Sequence, residues 1–317
     1  MNESISKIKS EVTKVIKGKD EIVEKVLMAI LARGNVLLED VPGVGKTTMA
    51  LAFAKSMGLD TKRIQFTPDT MPSDIIGFSV YDKNSGTLSY KEGAIMTNLL
   101  LADEINRTSS KTQSALLEAM EEKRVTVDGI THDLPDPFIV LATENPVGSA
   151  GTQMLPNSQL DRFMIKLSIG YPDVESQIEI MSARREQDPL MNVRPIITTE
   201  ELIALMDETT HVEISGPVYK YIAEIVQKTR EHEMITLGIS PRGALALSRV
   251  AQAHALMEQR DFVIPEDVRA TVIDVFSHRL ILNSRAKLNE YTPEQLLEEI
   301  VREVKLVQSK DMYFLEK

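Results

Sequence analysis

Short apolar runs alternate with longer amphipathic segments through the first part of the chain. This alternation predicts a parallel β-sheet with helices on both faces. The nearly continuous apolar character of the runs is typical of strands that are buried on both faces. The five predicted strands are Val36–Glu39, Thr61–Gln65, Leu99–Ala102, Phe138–Thr143 and Phe163–Ser168.

From about residue 195 onward, helical periodicity replaces the strand pattern. Ser240 and Thr292 each precede a proline and are predicted N-caps, because a hydroxyl accepts a hydrogen bond from the first turn of a helix. Proline suits that turn, where its missing N–H would have no partner within the helix. The proline positions are Pro217, Pro241, Pro265 and Pro293. The pattern predicts an α/β domain at residues 1–188 and a small helical domain at residues 189–317, joined near Asp188-Pro189.

Composition and charge exclude a few classes of protein. The 317 residues are 43% hydrophobic and 26% charged, which is typical of a globular protein with two domains of ordinary size. The net charge of -11 is spread over both parts, so a general nucleic-acid surface is not favoured. The chain has no cysteine, no signal-peptide pattern at Met1–Lys19 and no apolar stretch approaching ~18 residues. We therefore expect a cytoplasmic protein that does not span a membrane.

The strongest chemical signal lies between the first predicted strand and the following helix. Residues 40–47 read Asp-Val-Pro-Gly-Val-Gly-Lys-Thr, which is the phosphate-binding loop G-x-x-x-x-G-K-[ST] except that Asp40 replaces the first glycine. Such a loop directs backbone N–H groups and a helix N-terminus at an anion. Lys46 is expected to reach the β- and γ-phosphates, and the Thr47 hydroxyl to hold Mg²⁺. The residues predicted to bind the nucleotide are Pro42, Gly43, Val44, Gly45, Lys46, Thr47 and Thr48.

Two acids follow a second buried strand, at the edge of the sheet where open α/β proteins bind ligands. Beside a phosphate loop, Asp103 is expected to hold the Mg²⁺ shell and Glu104 to orient and polarise the attacking water. Asn145 ends the next strand and is either a sensor of the γ-phosphate or part of an Asn-Pro turn. Asn106 and Arg107 are either catalytic support or the cap of the following helix.

Together these segments resemble the AAA+ ATPases, and specifically the MoxR family of bacterial ATPase chaperones. The most specific match covers residues 101–122, and residues 125–129, 142–146 and 159–163 match in order and spacing. The chain departs from the family pattern at Gly93-Ala94, where Gly-Pro is usual, and at Glu144, where Gln is common. The resemblance implies an α/β P-loop AAA+ core, with a parallel sheet sandwiched by helices, followed by a small all-helical lid domain.

The resemblance also implies roles at matching positions. Gly18 lies in the stretch that contacts the base, and Asn145 corresponds to the first sensor. Lys46 and Thr47 form the Walker A part, while Asp103 and Glu104 form the Walker B part.

Two arginines are assigned in the same way. Arg162 resembles the arginine finger that reaches the nucleotide of a neighbouring subunit, although a surface salt bridge is the alternative. Arg242 resembles the second sensor at the start of a lid helix. A cation there opposes the helix dipole, so a compensating anion is expected nearby.

Two further segments are predicted to form β-hairpins. One covers residues 77–90 around Asn84-Ser85-Gly86, and the other covers residues 124–132 and turns at Asp128-Gly129. Their positions resemble two hairpins that project toward the central pore of the ring in one AAA+ branch. Their tips are expected to present Asp82, Lys83, Asn84, Asp128 and His132. Because these tips are not rich in Lys or Arg, a protein client is favoured over DNA.

The sequence therefore predicts a Mg²⁺-dependent ATPase that binds ATP and works as a homo-oligomeric ring, expected to be a hexamer. Hydrolysis would be coupled to the remodelling or maturation of a protein client, and the resemblance implies a client that carries a von Willebrand factor A domain. Two alternatives remain: a nucleic-acid motor of the same branch, and a nucleotide-regulated scaffold with little hydrolysis.

Overall fold

The computed structural model describes residues 3–39, 43–83, 86–145, 155–183 and 188–305. The helices are α1 (Glu3–Thr13), α2 (Asp20–Leu31), α3 (Lys46–Ser56), α4 (Pro72–Ile76), α5 (Ser110–Glu122), α6 (Asn157–Leu160), α7 (Val174–Ala183), α8 (Thr199–His211), α9 (Gly216–Glu231), α10 (Pro241–Met257), α11 (Pro265–Phe276), α12 (Ser284–Leu288) and α13 (Pro293–Glu303). The strands are β1 (Val36–Glu39), β2 (Thr61–Gln65), β3 (Phe78–Asp82), β4 (Thr87–Lys91), β5 (Leu99–Asp103), β6 (Arg124–Val127), β7 (Ile130–Asp133), β8 (Ile139–Glu144), β9 (Ile165–Leu167), β10 (Ile235–Leu237) and β11 (Ile281–Leu282). None of the described helices is long and apolar enough to cross a membrane.

The five predicted strands form one parallel sheet in the order β2-β5-β8-β1-β9. Successive side chains of the central strand β5 point to opposite faces. Leu99 and Leu101 join one hydrophobic core with α1–α3 and the lid, while Leu100 and Ala102 join a second core under α5. The fold class predicted from the sequence is therefore confirmed.

The prediction that every strand is buried on both faces is wrong for β2. Four of its five side chains are exposed, and only Ile64 is half-buried. The reason is its position at the edge of the sheet, where it pairs with β5 alone. Two polar side chains of this strand, Arg63 and Gln65, line a cavity at the carboxyl edge of the sheet.

The C-terminal part is helical, as predicted, and its helix starts follow from local sequence. Proline occupies the first turn of α9, α10, α11 and α13. The Ser240 hydroxyl accepts a hydrogen bond from the Gly243 N–H at 3.1 Å, and Thr292 Oγ1 accepts one from the Gln295 N–H at 3.3 Å. Both predicted N-caps are confirmed. The lid also contains the antiparallel pair β10–β11, which is too short to leave a strand pattern in the sequence. The exact domain boundary stays a prediction.

An ion pair between a buried arginine and a half-buried aspartate joins the lid to the core. Arg279 follows α11 and donates to Asp161 Oδ1 at 2.8 Å and to the Phe163 carbonyl at 2.6 Å. The Ser240 hydroxyl donates to the other oxygen of Asp161 at 3.0 Å. Burial lowers the pKa of Arg279 to about 10, and the Asp161 carboxylate opposes that shift. Arg162, the predicted arginine finger, directly follows Asp161. The contacts between Asp161 and the lid therefore also hold the backbone next to Arg162.

We expect Asp161→Ala to lower the free energy of unfolding by about 3–5 kcal/mol, because it leaves the guanidinium of Arg279 buried without its anion. The matched control is Asp207→Ala, since Asp207 pairs with Arg33 at 2.9 Å but stays 57% exposed. Such an exposed pair contributes less than about 1 kcal/mol. Urea unfolding followed by circular dichroism measures both values. Equal losses in the two variants would contradict the assignment of Asp161 as a structural clamp.

Candidate active site

The phosphate loop is built on two glycines with left-handed backbone. Gly43 has φ +89° and Gly45 has φ +100°, a region that residues with a Cβ rarely adopt. Gly45 is the N-cap of α3, so Lys46, Thr47 and Thr48 form the first turn of that helix. The N–H groups of a first turn have no partner within the helix and can bind an anion. Pro42, predicted to bind the nucleotide, lies outside the described residues, as does Asp40.

A cavity of about 320 Å³ lies between this loop and the carboxyl ends of β2, β5 and β8. The structure brings most of the predicted phosphate and catalytic residues together here, along with three side chains that the sequence did not single out. The lining residues are Gly43, Gly45, Lys46, Thr47, Thr48, Arg63, Gln65, Asp103, Glu104, Thr143 and Asn145.

Asp103 is 6% exposed, and both of its oxygens accept hydrogen bonds. Oδ1 accepts from Thr143 Oγ1 at 3.1 Å, while Oδ2 accepts from Arg63 Nε at 2.7 Å and from Thr47 Oγ1 at 3.3 Å. The hydroxyl of Thr47 and the carboxylate of Asp103 are hard oxygen donors of the kind that Mg²⁺ prefers. Their direct contact brings the two predicted metal ligands into one site.

Glu104 follows β5 in a left-handed conformation, with φ 57° and ψ 47°. Its N–H donates to Thr143 Oγ1 at 2.9 Å, and its Oε2 accepts from Arg107 Nη1 at 2.7 Å. Burial alone would raise the pKa of Glu104. Hydrogen bonds from Arg107, Asn145 and Gln65, with the charge of Arg107, outweigh burial and hold that pKa below its ordinary value. Glu104 is therefore a carboxylate at neutral pH, as a residue that accepts a proton from water must be.

Asn145 is held from both sides of its backbone by Asn106. The Asn145 N–H donates to Asn106 Oδ1 at 3.3 Å, and Asn106 Nδ2 donates to the Asn145 carbonyl at 3.0 Å. Asn145 Oδ1 is buried and has no hydrogen-bond partner within the described residues. A buried polar atom without a partner is rare in native structures, so this oxygen fits a polar ligand or water in the cavity. The residues present thus fit a nucleotide phosphate with Mg²⁺.

The structure decides one alternative that the sequence left open. Ser109, and not Asn106 or Arg107, caps α5, because Ser109 Oγ accepts from the Thr112 N–H at 3.3 Å. The cap interpretation is therefore wrong. Asn106 hydrogen-bonds the backbone of Asn145 and Arg107 pairs with Glu104, so both contact predicted site residues, and a role in catalysis stays a prediction.

A second cavity of about 330 Å³ adjoins the other side of the loop. Ile16, Val44 and Ile180 give it apolar walls suited to a nucleotide base. Gly18 lies beside it with φ +66°, and a Cβ there would meet Ser176 Oγ at 2.1 Å. A glycine at position 18 therefore lets the N-terminal segment approach the first turns of α7. Lys17 and Lys19, on either side of Gly18, line the cavity.

Arg162 and Arg242 lie apart from both cavities. They face a third cleft, and both pair with Glu121 near the end of α5. The Arg162 Nε–Glu121 Oε2 distance is 3.4 Å. Glu121 is the anion that the sequence predicted near the N-terminus of α10, where Arg242 lies. Neither arginine lines the phosphate cavity of its own chain.

The two predicted hairpins are present as β3–β4 and β6–β7. Asp128 and Gly129 have φ 49° and 80°, as the predicted two-residue turn requires, while Asn84 and Ser85 lie outside the described residues. The prediction that His132 lies at a tip is wrong. His132 pairs with Val125 within the β6–β7 ladder, and its ring stacks on Tyr90 of the other hairpin at 3.9 Å between centroids.

The missed site residues left weak signals. Arg63 and Gln65 are two positions apart at the end of β2 and therefore share a face. Pairing β2 with β5 in register, with Gln65 opposite Asp103, would have revealed them. For Thr143 the only signal in the sequence is a polar residue at the end of an apolar strand.

Comparisons with known proteins agree with this geometry. Residues 35–165 match the model of the ATPase family associated with various cellular activities (AAA), and residues 227–300 match the AAA lid domain. Chaperone MoxR1 of Mycobacterium tuberculosis (strain ATCC 25618 / H37Rv) is 38% identical over 307 residues, covering 94% of this chain and 81% of that protein. The chain belongs to the MoxR family of AAA+ ATPases.

Two other relatives of this MoxR-family chain span nearly its whole length. The uncharacterized protein YeaC of Bacillus subtilis (strain 168) is 49% identical over 95% of this chain and 94% of its own. A crystal structure of a candidate ATPase from Cytophaga hutchinsonii ATCC 33406 superposes with a TM-score of 0.88 at 40% identity, covering 96% of this chain and 95% of that one. Nucleotide binding follows from the AAA+ fold. A cytoplasmic location stays a prediction.

Proposed function

We propose that this MoxR-family protein hydrolyses ATP in a Mg²⁺-dependent reaction and uses the energy to remodel or mature a protein client. The observation that carries the proposal is the convergence of Lys46, Thr47, Asp103 and Glu104 on one cavity at the end of the sheet. Lys46 is buried and is the first residue of α3, so its ammonium group lies close to the phosphate loop.

In the proposed reaction the loop N–H groups and Lys46 bind the β- and γ-phosphates. Thr47 and Asp103 would hold Mg²⁺, which neutralises charge that develops on the phosphates when it is bound. Glu104, kept ionised by Arg107, accepts a hydrogen bond from the attacking water and takes its proton. Asn145 lines the same cavity, and its side-chain oxygen, which has no partner among the described residues, would orient that water.

The position of the arginine pair supports a ring. Arg162 is 29% and Arg242 43% exposed, and both line a cleft of their own chain that is separate from the phosphate cavity. In a head-to-tail ring, such a cleft can meet the nucleotide of the next subunit. We therefore propose that each complete active site is shared by two copies of the chain. A hexamer remains the expected ring size.

The hairpins support a protein client over DNA. Phe78, Tyr81 and Leu88 of β3–β4 and Ile130 of β6–β7 are each more than half exposed. Exposed aromatic and aliphatic side chains suit contact with polypeptide, whereas DNA contact requires many Lys and Arg side chains. A von Willebrand factor A domain in the client stays a prediction, which the resemblance to the family implies.

Glu104→Gln should trap the ATP-bound ring with its client. We expect light scattering to show ATP-dependent assembly, and affinity capture with ATP to recover a protein that ADP releases. Lys46→Ala is the matched control, because it removes the phosphate contact and should prevent trapping. Recovery of no specific protein would count against the client. DNA-stimulated turnover with a steep salt dependence would favour the motor instead.

A further inference from the structure

Arg63 makes a contact that the proposed reaction does not use. Its Nε donates to Asp103 Oδ2 at 2.7 Å, and its Nη2 donates to Gln65 Oε1 at 3.1 Å. The Arg63 side chain is 52% exposed, whereas that of Asp103 is 8% exposed. An exposed guanidinium thus covers a buried carboxylate.

The carboxylate oxygen that Arg63 contacts also faces the proposed metal site. Thr47 Oγ1 lies 3.3 Å from the same Oδ2, and Thr47 and Asp103 are the two residues expected to hold Mg²⁺. The other oxygen, Oδ1, accepts a hydrogen bond from Thr143 Oγ1 at 3.1 Å. A guanidinium and a divalent cation repel each other at such short range and compete for one oxygen.

Building on the proposed function, we propose that Arg63 is the counter-cation of Asp103 in the metal-free site and that Mg²⁺ displaces it. A buried carboxylate without a partner is costly, so a resident cation holds the Asp103 side chain in place before the metal arrives. The hydrogen bond from Thr143 can persist through the exchange, because it uses Oδ1. Arg63 is therefore a positioning residue for the metal-binding carboxylate.

The surroundings allow the exchange. β2 is an edge strand, and among the described residues no further strand lies on its outer side. Gln65 offers Arg63 a second hydrogen-bond partner within the cavity. Both residues line the phosphate cavity.

Replacing Arg63 by Met should shift two binding constants in opposite directions. Without the competing guanidinium, the Mg²⁺ concentration that half-saturates binding of a fluorescent ATP analogue should fall about tenfold. Without Arg63 the negative charge of Asp103 faces the phosphates uncompensated, so ATP affinity in EDTA should weaken about tenfold. A residue with only a structural role would move both constants the same way or neither.

The titrations use the full-length chain, with Arg302→Met as the control, because Arg302 is 75% exposed on α13 and pairs only with Glu298 among the described residues. Arg63→Gln is the second variant and should give the same opposite shifts if Arg63→Met folds poorly, as judged by circular dichroism. A wild-type chain that binds no ATP under any condition would overturn the proposed function. If wild type binds Mg²⁺ and ATP, and either folded Arg63 variant matches it in both titrations, the role of Arg63 is wrong while the proposed function stands.

Discussion

Replacing Glu104 by Gln should lower ATP turnover by about 10²–10⁴-fold and leave ATP binding intact, since a glutamine amide cannot take the proton from the attacking water. The substitution keeps the size of the side chain and its place after β5. Arg107 would lose its ion pair with Glu104, which is partly exposed, so the fold should tolerate the change. Steady-state phosphate release measures turnover, and titration with a fluorescent ATP analogue measures binding.

The matched control for this prediction is Glu118→Gln. Glu118 is an exposed residue of α5 that does not line the phosphate cavity, so its variant should turn over ATP as wild type does. Unchanged turnover in Glu104→Gln would show that the proposed mechanism is wrong. Loss of ATP binding together with turnover would instead assign Glu104 a structural role.

The parts of the site that the sequence predicted are those in which local pattern dictates geometry. A phosphate loop between a buried strand and a helix has few ways to fold, because Gly43 and Gly45 need left-handed backbone and Lys46 must begin the helix. Asp103 ends a strand whose five residues are all buried, and Glu104 follows it directly. Their place at the carboxyl edge of the sheet therefore followed from the parallel topology.

What the sequence could not supply depends on pairings between distant segments. Arg63 reaches Asp103 only because β2 pairs with β5. The local hydrophobic pattern predicts each strand but not which strands lie side by side. Glu121 meets Arg242 only because the lid helix α10 packs beside α5, and it meets Arg162 only because the segment between α6 and β9 lies beside the same helix end. His132 was expected at a hairpin tip, yet a contact with Tyr90 of the other hairpin fixes its ring. In each case the deciding partner is more than twenty residues away in sequence.

Arg162→Ala provides the sharpest test of a shared active site. We expect this variant alone to lose about 10³–10⁵-fold in turnover, the usual contribution of an arginine that stabilises charge on the transferred phosphoryl group. Arg302→Ala, on the exposed face of α13, should behave as wild type. The ion pair of Arg162 with Glu121 is partly exposed, so its loss should have little effect on stability.

Mixing Arg162→Ala with Glu104→Gln should then restore activity, although each variant is inactive alone. In a head-to-tail ring, an interface is complete when the Arg162→Ala copy supplies Glu104 and the Glu104→Gln copy supplies Arg162. Random assembly of equal amounts gives about a quarter of the interfaces this composition, so turnover should reach about a quarter of the wild-type value. If Arg162 acted on the nucleotide of its own chain, every site in the mixture would lack one residue. Turnover would then stay at the level of the two parent variants, because the chain that carries the phosphate loop would have to supply its own arginine.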